Sequence, residues 1–74
     1  MVNYANIHRT AKNDDAEKRK EAVDQIGTLF QILSEKDKEQ ASNDLLELTK
    51  DKDSNVRWRA ADALGRAFLY MTDK

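Results

Sequence analysis

His8 is the single histidine of this chain, and there is no cysteine. A lone imidazole holds a metal only beside carboxylates or further ligands at fixed geometry, and no His-Glu pair or comparable spacing accompanies it. The lack of cysteine removes disulfides and thiolate metal sites together. Two acidic pairs, Asp14-Asp15 and Asp51/Asp53, sit in the expected turns. Both precede runs of helical periodicity, where an Asp accepts hydrogen bonds from the free N–H groups of a first turn, so capping is the expected role. Basic residues gather at Lys18-Arg19-Lys20 and at Arg57, Arg59 and Arg66, interleaved with Glu17, Glu21 and Asp62. Asp62 and Arg66 stand at i, i+4 spacing and are expected to neutralise each other. No glycine-rich phosphate loop and no recognisable Ser-His-Asp set is present. The expectation is no catalysis, no cofactor and no metal, with nucleic-acid binding ranked third among the functional readings.

The elements that position these residues are helices. The chain has 74 residues, no proline and two glycines, so few strong breakers interrupt it. That length allows one small domain, residues 1–74, whose single core leaves little net stability. Thirteen Lys and Arg face 14 Asp and Glu, for a formal net charge of −1, without the basic excess of a typical nucleic-acid binder. No apolar stretch approaches a membrane span, and Met1-Val2-Asn3-Tyr4 carries no signal-peptide pattern. A soluble, cytoplasmic protein is expected.

The chain also contains one segment twice. Lys12 to Phe30 aligns with Lys50 to Phe68 at an offset of 38 residues, with seven of 19 positions identical. The identities are Lys12/Lys50, Asp15/Asp53, Arg19/Arg57, Ala22/Ala60, Asp24/Asp62, Gly27/Gly65 and Phe30/Phe68. Apolar residues recur in steps of three and four, as in Val56, Ala60, Ala63, Leu64, Ala67, Phe68, Met71 and in Ala22, Ile26, Leu29, Phe30, Leu33. This predicts an all-α fold of four helices, about 2–11, 16–33, 37–50 and 54–71, arranged as two stacked antiparallel hairpins (repeat one about 1–33, repeat two about 37–71). Short links force neighbouring helices together. Ser34-Glu35-Lys36-Asp37 resembles a capping box that closes one helix and opens the next.

Each repeated residue has a structural expectation. Gly27 and Gly65 lie mid-helix, where glycine costs about 1 kcal/mol relative to alanine, and their retention suggests close helix approach. Ala22 and Ala60 are small for the same reason. Phe30 and Phe68 are expected to fill space near the helix ends. Arg19 and Arg57, one turn into their helices, can reach an acidic turn residue of their own or of a neighbouring copy. His8 aligns with Leu46, a core-like position, and is expected to be partly buried.

The stretch Asp51-Lys52-Asp53-Ser54-Asn55-Val56-Arg57, followed by Ala60-Ala61-Asp62-Ala63-Leu64-Gly65, resembles a HEAT repeat, and most of all the HEAT-like subtype named after phycobilisome (PBS) lyases. Repeat two matches the pattern well. Repeat one departs from it, with Asn13 for the first acidic residue and Lys18 in place of Val56, and Lys52 stands where the family has a turn proline. The resemblance implies a right-handed α–α superhelix of armadillo-like character. It further implies a ladder between repeats that would use Asp51, Arg57 and Arg19. It does not imply lyase activity, since two repeats are too few to enclose a bilin.

The differences between copies point to function. Trp58, Gly65 and Leu69 form a line on the last helix, opposite its main apolar face, whereas repeat one has Lys20, Gly27 and Gln31 there. Either Trp58 folds back on repeat one, or the line is an exposed strip that takes a partner; Trp is favoured at interface centres. Stacks usually need three or more units, so self-association is a further expectation, as a homodimer around Trp58, Leu69 and Tyr70. The resulting reading is a non-catalytic protein–protein interaction module, an adaptor, scaffold or assembly subunit. The alternative is a fragment or accessory unit of a longer lyase-type HEAT-like protein.

Overall fold

The structure is a computed structural model that describes residues 3–71, with side chains through Leu69. Four α-helices follow one another: α1 (Tyr4–Ala11), α2 (Ala16–Leu29), α3 (Glu35–Leu48) and α4 (Ser54–Met71). A 3-10 turn, Phe30–Ile32, extends α2. Helices α1 and α2 form one hairpin, α3 and α4 the next, and the hairpins stack with α2 on α4 and α1 beside α3. The described residues contain no strand.

Each helix starts where a side chain can satisfy its first free N–H groups. Asn3 accepts from Ala5 N, Asp15 from Glu17 N, and Ser34 from Asp37 N. Asp53 accepts from both Asn55 N and Val56 N at 2.8 and 3.1 Å. Such caps each contribute about 1 kcal/mol. Helix α3 begins at Glu35 rather than 37, because Ser34 is the cap itself. The expected helix 16–33 is not continuous. It tightens after Leu29, and Leu33 N–H donates to Phe30 O as Leu33 becomes extended. That change of direction puts Leu33 into the core and frees Ser34 to cap α3.

The core lies between the two layers. Phe30, Ile26, Leu45, Val23 and Val56 are its largest fully buried side chains, and Ala22, Ala41 and Ala60 are completely covered. Three expectations are corrected here. Phe68 does not fill interior space as Phe30 does: Phe30 is 1 % exposed and Phe68 is 58 % exposed. The second hairpin covers Phe30, with α4 against its turn and the Lys38 ammonium over its ring, whereas no described element covers Phe68. Leu46 is half exposed rather than core. Neither glycine marks unusually close approach. A Cβ on Gly27 would meet Ala63 Cβ at 4.0 Å, an ordinary contact, and one on Gly65 would meet open space.

Candidate functional site

The two interhelical turns repeat the same local hydrogen bonding. Asn13 Oδ1 accepts from Asp15 N at 2.8 Å, and Asp51 Oδ2 accepts from Asp53 N at 2.9 Å. A side-chain amide and a carboxylate can both close this turn through an oxygen, which is why Asn13 serves locally where Asp51 stands in repeat two. The arginines then brace the turns. Arg19 Nη1 donates to Asn13 O and Asp14 O, and Arg57 Nη1 donates to Asp51 O and Lys52 O.

Beyond its own turn, Arg19 reaches the next repeat. Its Nε and Nη2 donate to Asp51 Oδ1 and Oδ2 at 2.8 and 3.0 Å, a two-pronged pair largely shielded from solvent. Burial acts to raise the Asp51 carboxyl. The Arg19 hydrogen bonds, the Asp53 N–H and the charges of Arg19 and Lys52 outweigh it and hold the carboxyl below its ordinary range. The Asp51 hydrogen bonds raise the Arg19 guanidinium in turn. Arg57 is exposed, and its Nε and Nη2 make no hydrogen bond within the described residues.

A second polar cluster joins α1 to α3 and was not singled out from the sequence. Asp44 is 3 % exposed and accepts from Tyr4 Oη at 2.6 Å; its Oδ2 also lies 2.8 Å from His8 Nδ1, and Gln40 adds a longer contact. Burial, then the hydrogen bond and charge of Asp44, push the Tyr4 phenol far above its usual range. The signal for this cluster was present: Asp44 falls on the apolar stripe of α3 with Ala41, Leu45 and Leu48, where a carboxylate must find buried donors. All buried side-chain polar atoms of the described residues have partners. Among those residues no group of three His, Cys, Asp or Glu could hold a metal ion, and no helix is long and apolar enough to cross a membrane.

The face formed by α2 and α4 is different in character. Trp58 is 70 % exposed and Leu69 is 72 % exposed, so Trp58 does not fold back onto repeat one. Trp58 lines a groove of about 520 Å³ whose walls include Val23, Gly27, Ala63 and Arg66. Arg59 donates to both oxygens of Asp24 across the groove at 3.1 and 2.9 Å, and Arg66 pairs with Asp62 along α4. Of the expected partner-binding residues the structure therefore places Trp58 and Leu69 in solvent on one helix line; the Tyr70 side chain lies outside the described residues. The Lys18-Arg19-Lys20 cluster is broken up chemically. Arg19 is consumed by Asp51, Lys20 pairs with Glu17, and Lys18 stands near Glu21.

This geometry is that of paired helices bound turn to turn by an arginine–aspartate contact. Comparison with curated proteins and with solved structures returned no match. A family profile described as HEAT repeats matches residues 5–70, which takes in both hairpins and both acidic turns. The chain belongs to the HEAT repeat family.

Proposed function

We propose that this chain is a non-catalytic adaptor or assembly subunit that binds a protein partner across its α2–α4 face. HEAT repeats generally mediate protein–protein interaction, and the observation that carries the local assignment is Trp58, 70 % exposed beside the groove between α2 and α4. A large indole left in water gains roughly 1.5–3 kcal/mol when a partner covers it, and such residues anchor interfaces. Leu69 continues the same line of α4, and Tyr70 is its neighbour in the sequence. The rim is charged but internally paired through Asp24–Arg59 and Asp62–Arg66, which favours an apolar anchor over a polyanion. A cytoplasmic setting fits the cysteine-free composition. The Val-Arg and Ala-Leu-Gly pattern of repeat two supports kinship with the lyase-type subtype as a scaffold rather than as an enzyme.

The test is selection of peptide binders from a displayed library against the intact chain, followed by titration of each binder onto the Trp58→Ala variant. The reading requires at least a tenfold loss of affinity with unchanged helical content. Binders that hold both chains equally would overturn it. Light scattering over a concentration series decides the homodimer form of this reading: a doubled mass abolished by Trp58→Ala supports it, and a constant monomer rules it out.

A further inference from the structure

The internal repeat provides a template for a surface unrelated to Trp58. Four positions of repeat one, Arg19, Val23, Ile26 and Phe30, are nearly inaccessible, and repeat two meets this line through Asp51 at Arg19, the α4 wall of the groove at Val23 and Lys38 at Phe30. At the 38-residue offset their counterparts are Arg57, Ala61, Leu64 and Phe68. Arg57, Ala61 and Phe68 are exposed and Leu64 is only half-buried. They occur at steps of four, three and four, which is one line along α4, about a quarter-turn from Trp58 and Leu69. Each of these four positions is thus less buried in repeat two than in repeat one.

The charge on this line is specified as well. Arg57 already makes the two turn-carbonyl bonds that Arg19 makes, and its other edge (the one Arg19 gives to Asp51) has no partner within the described residues. We propose that Arg57, Ala61, Leu64 and Phe68 form a docking face for a partner's helical hairpin. The occupant carries a carboxylate in its interhelical turn for Arg57 and small apolar residues, like Val56, Ala60 and Ala63, against Leu64 and Phe68. A second copy of this chain does not fit that description head to tail. Its leading hairpin has the neutral Asn13 where Asp51 stands, Lys18 for Val56 and Gln25 for Ala63, so it would bring a cation and an amide to an apolar, cationic face.

The probe is repeat two itself. Thr72-Asp73-Lys74 repeats Ser34-Glu35-Lys36 at the same offset, so residues 37–71 joined directly after Lys74 extend the intact chain in register, at high effective concentration. Thermal unfolding and amide exchange are compared for the parent and the extended chain. The extension is expected to raise the midpoint by about 6–24 °C, the shift that follows burial of one large apolar side chain in a domain this size, and to slow exchange along residues 57–68. In the extended chain, Arg57→Gln removes most of that rise, as does Asp→Asn at the Asp51-equivalent position of the added hairpin. Trp58→Ala leaves the rise intact, which separates this face from the α2–α4 groove. An unchanged midpoint and exchange pattern overturns the proposal, as does a rise that Arg57→Gln does not reduce, or association by light scattering that appears only in the extended chain and persists in its Trp58→Ala variant.

Discussion

Phe30 and Phe68 are the same residue at the same place in two copies, and their mutation to alanine should have very different effects. Phe30 is 1 % exposed, in a turn enclosed by the second hairpin. Its truncation removes the transfer free energy of a whole aromatic ring and leaves a cavity, which together cost about 3–5 kcal/mol. Phe68 is 58 % exposed, so it has less than half of the roughly 1.5–3 kcal/mol of full burial to lose. Alanine's higher helix propensity returns several tenths of a kcal/mol at that position. The expected cost of Phe68→Ala is therefore below ~1 kcal/mol. A domain of this length has a total stability of about 4–11 kcal/mol, so Phe30→Ala should leave the protein close to half unfolded at 37 °C or lower its midpoint by tens of degrees, while Phe68→Ala shifts it by a few degrees. Urea denaturation followed by circular dichroism at 222 nm measures both on one scale, provided the m-values agree. Costs for the two variants within ~0.5 kcal/mol of each other would refute the stacking order, because they would place both rings in equivalent surroundings.

Further outcomes follow from the polar contacts and the glycines. The folded Asp51 carboxyl titrates below its ordinary value, so its contribution is present above the unfolded carboxylate range near 3.8 and is lost as pH falls through the lower folded value; an acid titration of stability should flatten in Asp51→Asn. The Tyr4 phenol is raised, so its contribution is complete below pH ~10 and declines as pH rises above that unfolded value; Tyr4→Phe should remove this alkaline slope and cost about 1–3 kcal/mol at pH 7, leaving buried Asp44 short of one donor. Gly27→Ala and Gly65→Ala should each stabilise by roughly 0.5–1 kcal/mol in thermal unfolding, since the added Cβ meets an ordinary contact or open space. A loss at Gly27 would show that α2 and α4 approach more closely than this.

Much of the architecture is carried by local pattern. The steps of three and four, the Asp15, Ser34 and Asp53 caps and the 38-residue offset define the helices, their starts and the two-hairpin plan, because capping and amphipathicity depend on residues within a turn or two. That Arg19 reaches an acidic turn, its own or a neighbour's, was legible from its place one turn into its helix; that the partner is Asp51 came through the resemblance to HEAT repeats, since their contact spans 32 positions. The Asp44 cluster has a similar reason for having been missed: Asp44 looks like one more charge on a polar helix until α1 brings Tyr4 and His8 against it.

What tertiary structure alone decided is which of two identical residues is enclosed. Arg19 and Arg57, or Phe30 and Phe68, occupy the same place in the repeat and have opposite surroundings in space. A repeat's spacing specifies a face able to stack. Whether that face is buried depends on a neighbouring hairpin 38 residues away, and the local periodicity that forms each helix contains no information about what lies across from it.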